Sequence, residues 1–486
     1  MGAGMRIGWA HRDITPRRPV ALRGQFNLRV ATRVEDPLTL TVLALESGNH
    51  HAVFASADLC FIDAHVLEAA RQRLAARLPA LDPGSFVMGG THTHTAPFTG
   101  ARGELQDDRD YMEPLLQRHP DYLPAAEYGR TVVEALVDAV CQAWESRALG
   151  RIGYGYAHAV VGENRRVRYL DDRAVMYGST AAADFSHVEG HVDHAVNLLC
   201  TYDGEERLTG VVVNLACPSQ ASESGQDHVS ADYWHDVRQE VGRRRGAGVH
   251  VLPQCSAAGD QSPHRLIAKR AEERMLRLKY GGGTERPLNA ALRRDIARRV
   301  AEALDDAEPA IRRDLRAEAE VACRELRLDL PHWDVTPAEY DTVRAQIAEA
   351  EQQLASLGDA DPLDNRRTAL HSRLGWCRAV AERCERPPAS VPVRANVVRV
   401  GDVAFVTAPF EYYLDFGDRI KGRSPAVQTF VVQLAGGGPY LATARAAAGL
   451  SYGAVPASCL VAPAGGQVLA EAALAALGEL FEAAPR

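Results

Sequence analysis

The sequence predicts an α/β protein with layered mixed sheets and flanking helices, organised as one domain over residues 1–486 that carries an inserted helical hairpin at 334–388. Three observations lead there. Strand-like and helix-like segments alternate through the first third of the chain. Several strand-like runs end directly in polar or glycine-rich segments. A long polar helical pattern with its own start signal then interrupts the final third.

The elements follow in chain order. Leu38–Leu45 (LTLTVLAL) and Ala52–Ala57 (AVFASA) have strand character. Ala64–Leu78 has the helical period, with Val66, Leu67, Ala70, Leu74 and Leu78 on one side. Ser85–Gly89 is a strand again, so a right-handed crossover onto a shared sheet is expected. Thr131–Ala148 reads as a helix, and Val211–Leu215 and Val249–Leu252 as strands. Ile267–Lys279 and Ala290–Leu304 are amphipathic and arginine-rich, with the charge on a solvated face. Thr336-Pro337-Ala338-Glu339 is a capping box with proline in the first helical position, opening a helix to Leu357. A break at Gly358–Pro362 separates it from a second helix over Asp364–Arg383. This hairpin covers the site, packs on a partner subunit as a homo-oligomer surface, or decorates the exterior. Val391–Val400, Val403–Thr407 and Phe430–Leu434 are the last strands, and no sequence repeat is visible.

Composition narrows the class. Sixty-three acidic against 55 basic residues give a net charge of −8, with 46% hydrophobic and 24% charged residues. These are ordinary globular values. They leave no broad basic footprint for nucleic acid. No run of ~18 apolar residues predicts a membrane span, and the N-terminus has no apolar core of signal-peptide length. The nine cysteines are widely spaced without a CxxC, which favours a reducing cytoplasm over a disulfide scaffold.

Three segments can carry chemistry. In Thr91-His92-Thr93-His94-Thr95-Ala96-Pro97, an extended backbone would point both imidazoles to one side. The pair can bind a metal, or one can bind while the other moves protons. Gly259-Asp260-Gln261-Ser262-Pro263-His264 follows a strand and combines small residues with reactive ones; on spacing alone a capped entry to the helix beyond Pro263 accounts for it better. His187, His191, His194, His228 and His235 form a looser histidine-rich stretch.

Together these motifs resemble the N-terminal catalytic domain of the neutral/alkaline non-lysosomal ceramidase family. The resemblance rests on Arg12-Asp13-Ile14-Thr15-Pro16 with Asp36-Pro37-Leu38 and Ser56-Ala57-Asp58-Leu59, on the Thr91–Pro97 segment (like THTHSGP), and on Gly259–His264 (like GD-x-SPN). It extends discontinuously to about Tyr452. It implies a ceramidase-like catalytic fold and one Zn2+ held by two histidines, a glutamate and a tyrosine. Motif by motif, these positions fall on His92, Glu411 (in Ala408-Pro409-Phe410-Glu411) and Tyr440 (in Pro439-Tyr440-Leu441). The second histidine position falls on Cys217, in Asn214-Leu215-Ala216-Cys217-Pro218. Cys217 is then itself a ligand; or it is an inert packed thiol and His228 or His235 completes the set; or no metal is held. A substrate-contacting tyrosine falls on Tyr452 and an arginine on Arg165, beside Asn164.

What this implies is a metal-dependent hydrolase of an amide or related acyl bond. His94 would relay the proton, and Arg165 and Tyr452 would hold a developing oxyanion. Asp260 and Ser262 would orient groups behind the site, and His264 and Asn164 would contact substrate. The family's secretion signal and C-terminal immunoglobulin-like domain are not expected in this sequence, and THTHTAP and CPSQ depart from its pattern. The expected substrate is therefore a small polar molecule rather than ceramide, such as an N-acyl amino sugar, a glycoside or a lactone. The alternatives are a glycosidase using Asp260 and Glu411 as its carboxylate pair, a lactone or ester hydrolase, and a non-catalytic binding protein.

Overall fold

The computed structural model describes residues 4–100, 109–222, 227–281 and 288–482. Its strands form three principal sheets, and each sheet is built by the same sequence of elements. The first unit runs β1 (Arg6–Asp13), β2 (Thr39–Ser47), β3 (His50–Ala57), α1 (Ala64–Arg77), β4 (Phe86–Gly90) and α2 (Ala125–Glu145). The second runs β5 (Arg151–His158), β6 (Ala195–Tyr202), β7 (Leu208–Leu215), α3 (Tyr233–Arg245), β8 (His250–Cys255), α4 (Lys269–Tyr280) and α5 (Asn289–Ile311). The third begins with β9 (Val321–Leu330), then inserts α6 (Pro337–Ser356) and α7 (Asn365–Glu385). It resumes with β10 (Val391–Val400), β11 (Val403–Thr407), α8 (Leu414–Arg423), β12 (Gln428–Val432) and α9 (Pro463–Glu482).

Within each unit the first three strands form an antiparallel meander. The fourth returns through a helix to lie parallel to the third: β3 with β4, β7 with β8, β11 with β12. A parallel neighbour requires a crossover, and α1, α3 and α8 supply it. The last helix of each unit, α2, α5 or α9, packs back across the meander. The architecture thus repeats three times although the sequence does not. Ladder geometry and apolar faces define the unit, and many different residues satisfy both.

The β2–β3 and β10–β11 hairpins close with two-residue turns, Gly48-Asn49 and Gly401-Asp402. Their glycines have φ of 59° and 61°, where a side chain would be strained. The helices largely follow the sequence reading. The box predicted for α6 is present, Thr336 Oγ1 accepting from the Glu339 amide while the Glu339 carboxylate accepts from the Thr336 amide. Asp364 caps α7 through the amides of Arg366 and Arg367. Two boundaries differ from expectation. α2 starts six residues earlier than Thr131, at Ala125 behind Pro124, whose fixed φ suits an N-terminus. α4 starts at Lys269 because Ala268 is in the left-handed region, at φ 59°.

One apolar core is shared by all three sheets. Leu43, Phe54 and Val87 meet Leu199, Val212 and Leu252, and both groups meet Val398, Phe405 and Phe430. Phe405 stacks on Phe430 and tilts against Phe54, with centroids 4.4 and 4.5 Å away. Separate cores lie between each sheet and its helices. No helix among the described residues is long and apolar enough to cross a membrane, and all nine cysteines are free thiols.

Two expectations follow for stability. Phe405→Ala leaves a cavity where three sheets meet and should cost about 3–5 kcal/mol, read from denaturant unfolding. Asp295 joins α4 to α5: its carboxylate accepts from Lys279 Nζ (3.0 Å), Tyr280 Oη (2.9 Å) and Arg298 (3.1 Å), and also from Arg299. Burial alone would raise its pKa, but these donors outweigh it and hold the value at about 2. A carboxylate with a depressed folded pKa stabilises above its unfolded pKa of ~3.9, and that contribution fades as pH falls towards 2. Asp295→Asn should therefore lose about 2 kcal/mol at neutral pH and show a shallower loss of stability between about pH 4 and 2.

Candidate metal and catalytic centre

Backbone bonds between the three units bring the strand ends to one place. Ser219 N donates to Thr91 O (3.1 Å), joining the second unit to the first. Gly259 N donates to Tyr412 O (2.9 Å), joining the second to the third. Ala435–Gly436 pairs in parallel with Ile62–Asp63, joining the third to the first. The segments after β3, β4, β7, β8, β11 and β12 form the walls of the site.

His92 and His94 follow β4. The expectation of an extended backbone is corrected here: His92 has φ 65°, and Thr91–His94 is not a strand. The rings converge nonetheless, with Nε2 of His94 3.3 Å from Nε2 of His92. A left-handed non-glycine residue is costly, and such strain is a recurrent mark of functional positions. Gly24, at φ 105°, makes room for the second ring; a Cβ there would sit 2.4 Å from the His94 Cγ.

Glu411 and Tyr440 are brought side by side by a two-residue parallel pairing, Glu411 opposite Tyr440 and Tyr412 opposite Leu441. The approach requires Gly438, since a Cβ there would meet the Pro409 carbonyl oxygen at 1.9 Å. Glu411 Oε2 reaches to 3.4 Å from His92 Nε2. Two ligands of a tetrahedral zinc, each ~2.0–2.1 Å from the ion, stand ~3.3–3.4 Å apart. The His92–His94 and His92–Glu411 separations are edges of that size. On the other side of the His92 ring, Nδ1 donates to the Cys60 carbonyl (2.7 Å), so in the neutral ring the lone pair lies at Nε2. The Cys60 Sγ lies 3.8 Å from the same Nδ1. Cys60, His92 and His94 form a buried group whose donor atoms all lie within 4.8 Å of one another, a group that could hold a metal ion. The donor set fits a divalent ion of zinc type.

Arg165 braces the other side. It donates to Tyr440 Oη and the Gly259 carbonyl at 3.0 Å each, and to Gln220 Oε1 at 3.2 Å. It also approaches Glu411 Oε2 at 3.5 Å. Gln220 turns its amide nitrogen to His94 Nε2 at 2.6 Å. Tyr177 bridges Arg165 (3.3 Å) and Ser262 Oγ (3.0 Å). Tyr452 lies edge-on to Tyr440, with centroids 5.3 Å apart.

The electrostatics divide the two histidines. Burial opposes a charge on His92, but Cys60 and Glu411 outweigh it and hold its pKa well above the ordinary value. Burial, then His92, Arg29, Arg165 and His264, pushes His94 well below. Burial would raise Glu411, but His92, Arg165 and Tyr440 bring it down. Burial also disfavours charge on Arg165, and Tyr440, Tyr177 and Glu411 together overcome that. The centre is a buried place arranged for positive charge next to a neutral imidazole.

The other residues singled out in the sequence occupy different surroundings. Asp260 is 2% exposed, and its two oxygens accept from Asn164 Nδ2 (2.7 Å) and the Leu414 amide (3.0 Å). The Asn164 Oδ1 in turn accepts from the Arg166 amide, so Asn164, expected to contact substrate, is a buried bracket. Ser262 Oγ accepts from Tyr177 and from the His264 amide. His264 Nε2 lies 2.8 Å from the Gln220 carbonyl. Cys217 stands outside the Cys60–His92–His94 group; its thiol donates to the Pro218 carbonyl (3.4 Å), and burial together with Cys255 pushes its pKa well up. His228 pairs with Glu35 at 2.8 Å, His235 lies in the first turn of α3, and His191 is exposed beside Asp418.

Cys60, Gln220 and Tyr177 were not anticipated. Cys60 directly follows the Asp58-Leu59 motif residues and Gln220 closes CPSQ, so both lay beside recognised signals. Tyr177 had none, since it reaches Arg165 across the Arg166–Tyr169/Ala174–Met176 hairpin.

The arrangement of the three sheets and their helices resembles that of solved ceramidases. A solved ceramidase described as complexed with C2 superimposes with a TM-score of 0.70 at 15% identity, over 99% of this chain and 76% of that one. The neutral ceramidase of Pseudomonas aeruginosa gives 0.68 at 16%, over 98% and 75%. The chain therefore has a ceramidase-like fold. No protein-family model and no curated protein sequence matches it.

The bracket role of Asn164 can be measured. Asn164→Ala leaves the buried Asp260 carboxyl without its side-chain donor and should cost about 1–3 kcal/mol. A lowered Tm would record it; an unchanged Tm would show that Asp260 is satisfied without Asn164.

Proposed function

We propose that this chain is a metal-dependent hydrolase of an amide or related acyl bond, acting on a small polar substrate rather than ceramide. The observation that carries the reading is the convergence of His94 Nε2 and Glu411 Oε2 on His92 Nε2 at ligand-edge distances, on a ceramidase-like fold. His92, His94 and Glu411 would hold a Zn2+ ion, with Tyr440 Oη on the carboxylate side as a further donor; Cys60 Sγ lies beside Nδ1, on the far edge of the His92 ring. Cys60, not Cys217, is the sulfur grouped with the two histidines. When bound, such an ion supplies a Lewis acid that polarises an acyl carbonyl and makes water more acidic.

The chain's own groups account for the rest. Arg165, cationic and fixed by five partners, would face the negative charge that develops on an acyl oxygen, and the Tyr440 and Tyr452 hydroxyls supply neutral donors beside it. Gln220 fixes the His94 ring by donating to its Nε2 while accepting from Arg165. His94 is held neutral, and its Nε2 lone pair could meet a metal or a proton once the Gln220 amide turns away from it. Asp260, Asn164, Ser262 and Tyr177 are positioning residues that lock the Arg165 backbone and side chain. Arg165 N itself donates to the Asp260 carbonyl at 2.9 Å.

The glycosidase alternative needs Asp260 as a working carboxyl. Both of its oxygens are committed to protein donors and it is buried, which argues against that role. Ester or lactone hydrolysis would use the same acyl chemistry. A binding protein on this fold would show neither stoichiometric metal nor turnover.

The decisive experiment joins metal analysis to an acyl-substrate panel. The purified protein should contain about one equivalent of zinc or a similar divalent ion. Chelation should abolish turnover, and adding zinc back should restore it. His92→Ala and Glu411→Gln should each lose metal and activity, whereas Cys217→Ser keeps both. Full activity in His92→Ala would end the reading. Arg165→Met should retain metal and lower kcat/KM by about 10²–10³, the scale of a lost oxyanion donor.

A further inference from the structure

A line of aromatic rings runs outward from the centre, and two of them, Phe26 and Trp376, lie outside every sequence motif. Tyr440, bonded to Arg165, meets Tyr452 edge-on at 5.3 Å. Tyr452 meets Phe26 at right angles at 5.0 Å, and Trp376 at 6.3 Å with an interplanar angle of 25°. Phe26 and Trp376 meet at 5.3 Å and 79°. The three outer rings come from three segments: the loop after the short strand at Val20–Ala21, helix α7, and the segment after α10, the helix Ala444–Gly449. Tyr452 is partly buried, while Phe26 is 44% and Trp376 38% exposed. Large rings left this open beside a catalytic centre are surfaces for a ligand rather than core.

The rings are held in place by bonds from the helical hairpin. Arg383 of α7 donates to the Cys459 carbonyl (3.1 Å) and the Pro456 carbonyl (2.5 Å), fixing the chain just beyond Tyr452. Asn27 Nδ2 donates to Asn365 Oδ1 (3.0 Å) and the Leu28 amide to Thr368 Oγ1 (3.2 Å), fixing the chain just after Phe26. The platform exists because the hairpin grips both loops. Next to Trp376 a cleft of about 550 Å³ runs between α7 and the 456–460 segment. Its walls include Glu382, Arg386 and Ser458 as well as apolar residues. An alkyl chain would require a continuous apolar channel. A half-open aromatic platform with an ionic rim of Glu382 and Arg386 suits a saturated ring whose C–H face stacks and whose hydroxyl edge hydrogen-bonds.

We propose that Phe26, Trp376 and Tyr452 form a subsite for the non-reacting part of the substrate, and that this part is a sugar-type ring, making the substrate an N-acylated amino sugar. The proposal rests on the acyl-hydrolase reading for the identity of the bond. The subsite itself can be tested without turnover. In the His92→Ala background, N-acetylglucosamine is titrated by tryptophan fluorescence and calorimetry. Binding should be measurable, and adding Trp376→Ala should weaken it about fivefold or more, the scale of one aromatic stacking contact. Trp376→Phe should recover most of the loss, and Phe26→Ala should reproduce part of it. N-acetylethanolamine, which has the amide but no ring, should be indifferent to Trp376.

Three results would overturn the proposal: no N-acetylglucosamine binding, binding unchanged by Trp376→Ala, or an equal loss for N-acetylethanolamine. Each is independent of the hydrolase reading, which stands or falls on metal-dependent acyl turnover by the unmodified protein.

Discussion

Everything at the centre depends on a closed ring of backbone hydrogen bonds between three strand-end regions. Each sheet finishes in a parallel pair, so two strands deliver their C-terminal ends to the same edge. Joining the three edges through Ser219 to Thr91, Gly259 to Tyr412 and Gly436 to Asp63 places six polar segments against one another. Backbone groups in such a crowded interior must be paired or they cost about 1–3 kcal/mol each. The inter-unit bonds satisfy part of that demand and hold the loops against one another. The shared core of Phe54, Phe405 and Phe430 lies beneath and prevents the sheets from separating. A site assembled from three units is rigid only if the units cannot slide, and the aromatic stack and the ring of bonds act together on that degree of freedom.

That rigidity permits a concentration of buried charge that a looser fold could not hold. Arg165 is 2% exposed and has no solvent to stabilise it. It is tolerated because Tyr440, Gln220, the Gly259 carbonyl and Glu411 surround it, each borne on a different strand end. Removing any one leaves a charge uncompensated in a poorly polarisable interior, where that loss is largest. The same packing sets His92 and His94 to opposite electrostatic tendencies although they are two residues apart. His92 sits between a carboxylate and a thiol, and His94 between an amide and cationic neighbours. The asymmetry comes from which strand end each ring faces, not from the local sequence.

This explains which parts of the molecule the sequence disclosed. Local features were legible: the period of α1, the capping box at Thr336 and Glu339, and the strand pattern from Val391 to Thr407. His92, Arg165, Glu411, Tyr440 and Tyr452, which the structure gathers in one place, each lie in a short sequence motif. Cys60 reaches the centre through the parallel pairing of β3 with β4, and Gln220 through the meeting of two units, so a contact between residues 60, 92 and 220 has no linear signature. Cys217 shows the converse. Its position along the chain matches a ligand, but a tight turn to the Leu215 carbonyl followed by Pro218 directs its thiol at the backbone. The threefold architecture was invisible for a related reason. The segments AVFASADLC, VVVNLACPSQ and VAFVTAPFE leave equivalent strands, yet they share little beyond apolar character.

The helical hairpin shows how an insertion becomes part of a site. It enters at Leu330 and leaves at Val391, residues that face each other across the β9–β10 ladder. The inserted chain therefore starts and ends at neighbouring points, and closing a longer loop adds little entropy cost once its ends are fixed. What orders it must be its own packing and its anchors. The pairs Arg373–Glu349 and Arg378–Glu351 are solvent-exposed and contribute only ~0–1 kcal/mol each. The apolar seams are more substantial: Val343 with Cys377 and Val380, and Ala350 with Leu370 and Leu374, bury side chains along both helices. Those seams make the pair stiff, and Arg383, Asn365 and Thr368 fasten it to loops of the site. A stiff element gripping two mobile-length loops fixes the relative placement of Phe26 and Tyr452, which neither loop could achieve alone. The insertion therefore adds a constraint to the centre as well as a surface, and the constraint is what makes the aromatic rim a defined wall.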